Sequence, residues 1–204
     1  MERINNYTIQ ADQAKRWFLT YDQGAIIRKF RLEADSAYLY PVMLGRIYRI
    51  SRATGDVEKR VAGQWVDGNS FEEVMTLLDM LCDARSDRCL SGRWKNMQSF
   101  GLLFHRALLE DQRDPTAERF DREPEALRRG LARLGAVPFP GADIGGAVEL
   151  FDGLRIAVQF WHADEEFAPR LRYLWDENAP QYIRYETMYY AVSLLKDRLT
   201  EECE

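Results

Sequence analysis

The run Val148-Glu149-Leu150-Phe151-Asp152-Gly153-Leu154-Arg155-Ile156-Ala157-Val158-Gln159-Phe160-Trp161 decides how this chain is read. Val148 and Leu150 alternate with polar neighbours. Leu154, Ile156, Val158 and Phe160 alternate with Arg155, Ala157, Gln159 and Trp161, which is the two-residue period of a strand. Asp152-Gly153, between the two runs, is a dipeptide favoured in two-residue hairpin turns. The stretch therefore predicts an antiparallel hairpin with one buried face.

Upstream, Pro138-Phe139-Pro140-Gly141 admits neither helix nor central strand. Gly141-Ala142-Asp143-Ile144-Gly145-Gly146 lacks the dinucleotide and P-loop patterns and reads as a flexible turn. Pro124 suits a first helical turn, and Leu127, Leu131 and Leu134 continue that helix to a stop at Gly135. The charged stretch from Glu110 to Glu125, broken by Pro115 and Pro124, reads as a surface excursion or subdomain joint. Phe100, Leu103, Phe104, Ala107 and Leu108 predict a helix from Met97 to Glu110. Ser70-Phe71-Glu72-Glu73 has capping-box spacing and opens a helix to about Ala84, whose stripe is Phe71, Val74, Leu77, Leu78 and Leu81.

Nearer the amino end, Tyr38 to Val42, Ile47 to Ile50 and Val57 to Val61 predict a small meander, with turns at Gly45 and Ala53-Thr54-Gly55-Asp56. Before it, Thr8 is read as the cap of a helix through about Thr20 that carries Ala14, Trp17, Phe18 and Tyr21 on one face. A shorter helix after Asp22 turns Ala25, Ile26 and Phe30 inward. Downstream of the hairpin, Asn178-Ala179-Pro180 ends an irregular link, and Met188, Val192, Leu195 and Leu199 mark a C-terminal amphipathic helix. The expected class is α+β: small antiparallel sheets from an N-terminal meander and a C-terminal hairpin, packed with about five to six helices. A single domain over residues 1–204 is expected, with any subdomain joint near 110–125.

The 204 residues are 46% apolar and 12% aromatic, enough to fill a core, so general disorder is excluded. Lys and Arg total 28 against 33 Asp and Glu, a net charge of −5 that repels phosphate backbones and argues against nucleic-acid binding. Arg128-Arg129, Arg170 and Arg172 read as solvated surface charge, with bidentate contacts to carboxylate or phosphate as the alternative. Cys82, Cys89 and Cys203 are odd in number, and none has the spacing of a metal or redox pair. A reducing cytoplasm fits them. Met1-Glu2-Arg3-Ile4-Asn5-Asn6 has no apolar signal core, and no apolar run nears the roughly 18 to 20 residues that span a bilayer, so no membrane role is expected.

The densest polar cluster is Trp161-His162-Ala163-Asp164-Glu165-Glu166-Phe167, which begins where the second hairpin strand leaves its sheet. Asp164 and Glu166 can share one side of an extended segment, and Asp176, Glu177 or Glu186 can join them by folding. Such oxygens suit Mg²⁺ or Ca²⁺, which makes Asp164 and Glu166 the metal candidates, while His162 suits zinc or general acid–base work. The spacing matches no defined metal loop, and the same acids also serve to solvate a strand exit or cap a turn. The ligand-binding candidates are Trp161, His162, Asp164, Glu165, Glu166, Asp176 and Glu186. His105, inside the expected Met97 to Glu110 helix, reads as a hydrogen-bonded structural histidine. Ser86, Ser91 and Ser99 lack the glycine-elbow context of a nucleophile. Cys89, near Arg85, Arg88 and Arg93, reads as a passive thiol, and no cofactor is implied. Trp17, Trp65, Trp94, Trp161 and Trp175 read as core, with a groove for a planar ligand as the alternative.

These residues resemble an uncharacterised prokaryotic family, domain of unknown function 3786. The likeness rests on Leu44-Gly45-Arg46-Ile47-Tyr48, Ser91-Gly92-Arg93-Trp94, Phe160 to Phe167, Leu174-Trp175-Asp176 and Tyr182-Ile183-Arg184-Tyr185-Glu186. It implies an origin in anaerobes. The cysteine-rich iron–sulfur segment that some members carry is not among these residues, and the proline that commonly follows the acidic-aromatic motif stands one place later, at Pro169. The family supplies no activity to carry over. Three functions remain open. The first is a soluble, non-catalytic accessory or binding domain that holds a small ligand or partner protein near residues 161–186. The second is a divalent-metal-dependent hydrolase or lyase using His162, Asp164 and Glu166. The third is a structural subunit of a larger complex, associating through Met188, Tyr189 and Tyr190.

Overall fold

The computed structural model describes residues 6–68, 70–100 and 114–201. Among these are six α-helices and two antiparallel sheets, of six and five strands, and the fold is α+β. The chain divides into two compact units, Met1–Arg88 with Gln181–Ala191, and Cys89–Pro180 with Val192–Glu204. The helix expected over Met97–Glu110 and its His105 lie largely outside the described residues, as does Cys203. Met97–Ser99 forms a single 3-10 turn.

The first unit opens with α1 (Asn6–Phe18) and α2 (Gln23–Phe30). Asp22 caps α2, its carboxylate accepting from the Ala25 N–H at 3.0 Å, and Ile26 and Phe30 point inward while Ala25 stays exposed. Thr8 lies within α1 rather than ahead of it. Phe18 is buried, Ala14 is half-buried, and Trp17 and Tyr21 are exposed, so the aromatic face expected to point inward does so only in part.

The meander forms as expected in β2 (Tyr38–Tyr40), β4 (Arg46–Ser51) and β5 (Val57–Val61). The strand expected from Tyr38 to Val42 is broken at Pro41, with Val42 opening a separate β3 (Val42–Met43), and two short strands are not read from the sequence, β1 (Glu33–Ala34) and β6 (Gln64–Asp67). The order is β1-β2-β4-β5-β6, with β3 paired to β4. Leu39, Tyr48, Ile50 and Val57 share one buried face, and fully burying each such side chain contributes about 1.5–3 kcal/mol. The other face carries Tyr38, Tyr40 and Trp65 around Arg49, which pairs with Glu58 through two hydrogen bonds of 2.6 and 2.9 Å and lies over the Tyr38 and Trp65 rings.

Helix α3 (Phe71–Asp83) is central to the unit: Val74 and every residue from Thr76 to Leu81 are buried. The Ser70 hydroxyl accepts from the Glu73 N–H at 3.1 Å, one half of the expected capping box. The other half is replaced. The Glu73 carboxylate turns to the sheet, accepting from the Tyr48 hydroxyl at 2.9 Å and from Lys59 Nζ at 3.0 Å. The start of α6 (Tyr185–Glu201) belongs to this unit, where Tyr190 packs edge-on against Phe71.

In the second unit, α4 (Pro115–Arg122) stands within the stretch from Glu110 to Glu125 that was expected as a surface excursion or subdomain joint, and α5 (Pro124–Arg133) is the helix expected from Pro124 to Gly135. Each proline stands at the start of a helix, where its missing N–H removes nothing, and Asp114 caps α4 through the Thr116 N–H at 3.0 Å. Ala117, Phe120, Leu127 and Leu131 are buried. The five-stranded sheet runs β7 (Trp94–Asn96), β11 (Arg170–Asp176), β10 (Leu154–Trp161), β9 (Ile144–Phe151) and β8 (Val137–Pro138).

The hairpin is β9 and β10. Asp152 at φ +52° and Gly153 at φ +79° make its turn, the left-handed pair that matches strand twist. Its burial differs from expectation, because Ala147, Ala157 and Gln159 on the second face are also buried. The loop through Phe139 and Pro140 roofs them: Gln159 Nε2 donates to the Pro140 carbonyl at 2.8 Å, and the Phe139 ring meets Trp94 at 5.0 Å. The run from Gly141 also resolves differently, since Ile144, Gly145 and Gly146 are strand. A Cβ on Gly145 would stand 2.1 Å from the Phe139 carbonyl oxygen, so only glycine lets the roof close so tightly. Residues 170–176, expected as irregular link, form β11 beside β10. The remainder of α6 belongs to this unit, with Leu195 and Leu199 fully buried. Among the described residues, no helix is long and apolar enough to cross a membrane.

Candidate functional site

The segment from His162 to Pro169 connects β10 to β11, two neighbouring antiparallel strands, and its residues 163–168 are exposed. Trp161 closes β10 opposite Arg170, with the Arg172 guanidinium 5.2 Å from its ring. Asp164 organises the bend. Its carboxylate accepts from the N–H groups of Glu166 at 2.9 Å and Phe167 at 2.7 Å, and its own N–H donates to the Phe167 carbonyl at 3.0 Å. Glu165 and Glu166 face solvent, and Phe167 is 68% exposed.

His162 is held by two carboxylates that the sequence reading did not join to it. Its Nδ1 lies 2.8 Å from Asp121 on α4, and its backbone N–H donates to Asp143 at 2.9 Å. Asp121 also accepts from the Ala163 N–H at 3.2 Å, and the Phe160 ring stands edge-on to the imidazole at 5.0 Å. The His162 contact, followed by the Ala163 N–H, holds the Asp121 carboxyl below its ordinary range. In the neutral ring, donation from Nδ1 to Asp121 leaves Nε2 as the acceptor, a state that suits proton transfer or ligand hydrogen bonding.

Asp176 lies six residues along β11 from the Arg170 that faces Trp161, roughly 20 Å at the rise of a strand. It is buried and shapes a loop, accepting from the N–H of Ser91 at 3.0 Å, Gly92 at 2.7 Å and Asn178 at 2.8 Å, and from the Ser91 hydroxyl at 3.1 Å. Burial alone pushes its pKa up, but these donors outweigh it and the net shift is downward. Glu186 is exposed in the first turn of α6, in the first unit. Met188, in that same turn region, is fully buried, and Tyr189 shares a hydroxyl hydrogen bond of 2.7 Å with Tyr185. Among the described residues, no group of three His, Cys, Asp or Glu side chains is arranged to hold a metal ion.

The first unit contains two clefts that the sequence reading missed. The wider, of about 980 Å³, is edged by Asp12, Asp56, Asp67 and Glu72, with Lys15 paired to Asp56 at 3.1 Å. The smaller, of about 200 Å³, has Trp17, Met75 and Leu78 among its walls and Asp79, Asp83 and Arg184 among its polar groups. Tyr21 donates to one oxygen of Asp83 at 2.8 Å, and the Arg184 guanidinium pairs with the other. Asp79 accepts from the Arg184 backbone N–H at 2.9 Å through Oδ2. Its Oδ1 has no hydrogen-bond partner: Arg184 Nε is 3.2 Å away, but not aligned to donate. The sequence signal lies in Trp17, in the last turn of α1, and Tyr21, three residues past its end, both of which the spacing assigns to the core.

A two-unit α+β domain carrying two antiparallel sheets, a surface bend tied to α4 and an apolar cleft with a buried carboxylate is the class these features define. The chain belongs to the family described as Domain of unknown function (DUF3786), which it matches over residues 22–198, a span that includes the residues from Trp161 to Glu186 as well as Asp79, Asp83 and Arg184 but not Trp17 or Tyr21. No curated protein and no solved structure matches it.

Proposed function

We propose that this chain is a non-catalytic binding or accessory domain that holds a small ligand in the cleft around Asp79 and Arg184, a place to which the expected 161–186 region contributes Arg184 and none of its seven ligand-binding candidates. One observation carries this reading: an apolar-walled cleft in which a nearly buried carboxylate oxygen lacks a hydrogen bond. Buried polar atoms are normally satisfied, and an unsatisfied one beside open space marks where a ligand donor gains most. The Asp164 turn supports the same non-catalytic reading, because that carboxylate is occupied by backbone N–H groups. Burial pushes the Cys82 thiol up to about 12, so it stays protonated at neutral pH and is a poor nucleophile, in keeping with a non-catalytic cleft.

The test is a small-fragment screen by two-dimensional amide spectra of the full chain. Bound fragments are expected to shift the Trp17, Cys82 and Thr187 signals and to raise the melting temperature. Ala14→Phe, which fills the cleft from α1, should abolish both effects in a folded protein. A library that perturbs none of these signals in the parent chain overturns the proposal.

A further inference from the structure

Resting on the ligand-binding reading above, we propose that the small cleft takes a compact amine carrying one flat ring, its ammonium group seated on the Asp79 carboxylate in the place held by the Arg184 side chain. Asp79 is 8% exposed, and its Oδ1, which accepts no hydrogen bond, is ion-paired with Arg184 Nε at 3.2 Å. The guanidinium covers that oxygen without hydrogen-bonding to it and is anchored at its other end on Asp83, so a better-aligned N–H donor can displace Nε while the Asp83 pair persists.

Charge selects the class of donor. Two carboxylates face one guanidinium, and the protonated Cys82 thiol adds no charge, so once Asp79 is ionised the cleft carries one negative charge in excess. Burial pushes Asp79 above the ordinary carboxylate range in spite of the Arg184 N–H, the Thr187 hydroxyl and the guanidinium, so this carboxylate is under-compensated as it stands. An ammonium group supplies the missing charge and donor together. A carboxylate ligand is repelled, and a neutral ligand adds no compensating charge.

Shape selects the rest. Met75 and Leu78 give apolar walls, and Trp17 and Tyr21, 53% and 38% exposed, put two aromatic faces at the rim beside the incoming charge. A volume of about 200 Å³ equals the liquid volume of about seven waters, room for a single ring on a short chain.

The experiment titrates the full chain with phenethylamine, 2-phenylethanol and phenylacetate, followed by calorimetry and by the amide and indole signals of Trp17, Tyr21 and Thr187. The amine should bind at least about tenfold more tightly than the alcohol or the acid. Asp79→Asn should remove that preference. Arg184→Gln, which takes away the competing cation, should tighten amine binding several-fold, and this gain cannot come from a damaged fold. Equal affinities for the three probes, or an Asp79→Asn chain that keeps the preference, overturns the amine assignment while leaving the ligand-binding reading in place. If none of the probes disturbs the cleft signals while unrelated fragments do, the amine class is again wrong; if nothing at all disturbs them, both proposals fall.

Discussion

A methyl group at position 145 would sit 2.1 Å from the Phe139 carbonyl oxygen, whereas one at position 146 would meet only side-chain carbons at 3.1–3.3 Å. The two neighbouring glycines should therefore respond differently. Gly145→Ala is expected to cost about 3 kcal/mol by forcing the Pro138–Pro140 roof off the sheet, and Gly146→Ala about 1 kcal/mol as Leu131 and Ala136 adjust. Urea midpoints at unchanged slope check this, and equal losses at the two positions would contradict the close approach. The same scale explains what could be read of the candidate site. His162 and Asp164 were recognisable as polar residues leaving a strand, because alternation stops at Trp161. Their partners were not, since Asp121 is 41 residues from His162 and sits on a helix hidden by the charged, proline-broken look of its segment. Asp79 was hidden in a different way: it interrupts the apolar stripe of α3 and gives no sign that one of its oxygens accepts no hydrogen bond.

At the scale of elements, Ser70 and Glu73 separate two contributions to α3. Ser70→Ala removes one cap acceptor and should cost about 1 kcal/mol. Glu73→Ala leaves Tyr48 and the partly buried Lys59 without their acceptor and should cost about 3 kcal/mol, which chemical denaturation of the two variants will compare. If the capping box were complete, the order would be closer to even. Elements with strong local signals were legible: the β9–β10 hairpin through its alternation and Asp-Gly turn, α3 through Ser70, α5 through Pro124 and α6 through its apolar spacing. Those missed depend on partners elsewhere in the chain. β1, β6 and β7 are short strands defined by their neighbours, with β6 reached through a left-handed Ala62-Gly63 turn. β11 carries Leu171, Tyr173 and Trp175 in alternation, a pattern obscured by Arg170, Arg172 and the polar run before it. Helix α4 was misread because proline was taken as a breaker when it stood at a helix start.

For the whole molecule, two buried carboxylates give stability opposite dependences on acidity. The folded-state pKa of Asp176 is below its ordinary value of 3.8, so its contribution is present above about pH 4 and is lost as pH falls through the folded value. Asp79 is raised above 3.8, so the folded chain keeps a proton that the unfolded chain releases, and stability declines as pH rises from about 4 through the folded value. Relative to the parent, Asp176→Asn should become less stable and Asp79→Asn more stable as pH climbs from 3 to 7; slopes of the same sign would refute the assignment. A different consequence follows from where the first unit draws its residues. It needs Gln181–Ala191 as well as Met1–Arg88, so a ribosome must extend the chain past residue 191 before that unit can be completed. Its sheet and α3 emerge early and wait for their last strip of partner surface. During synthesis the unit therefore lacks part of its own surface until residue 191 has emerged, and a nascent chain stalled before residue 181 should be cut by protease more readily than the finished unit.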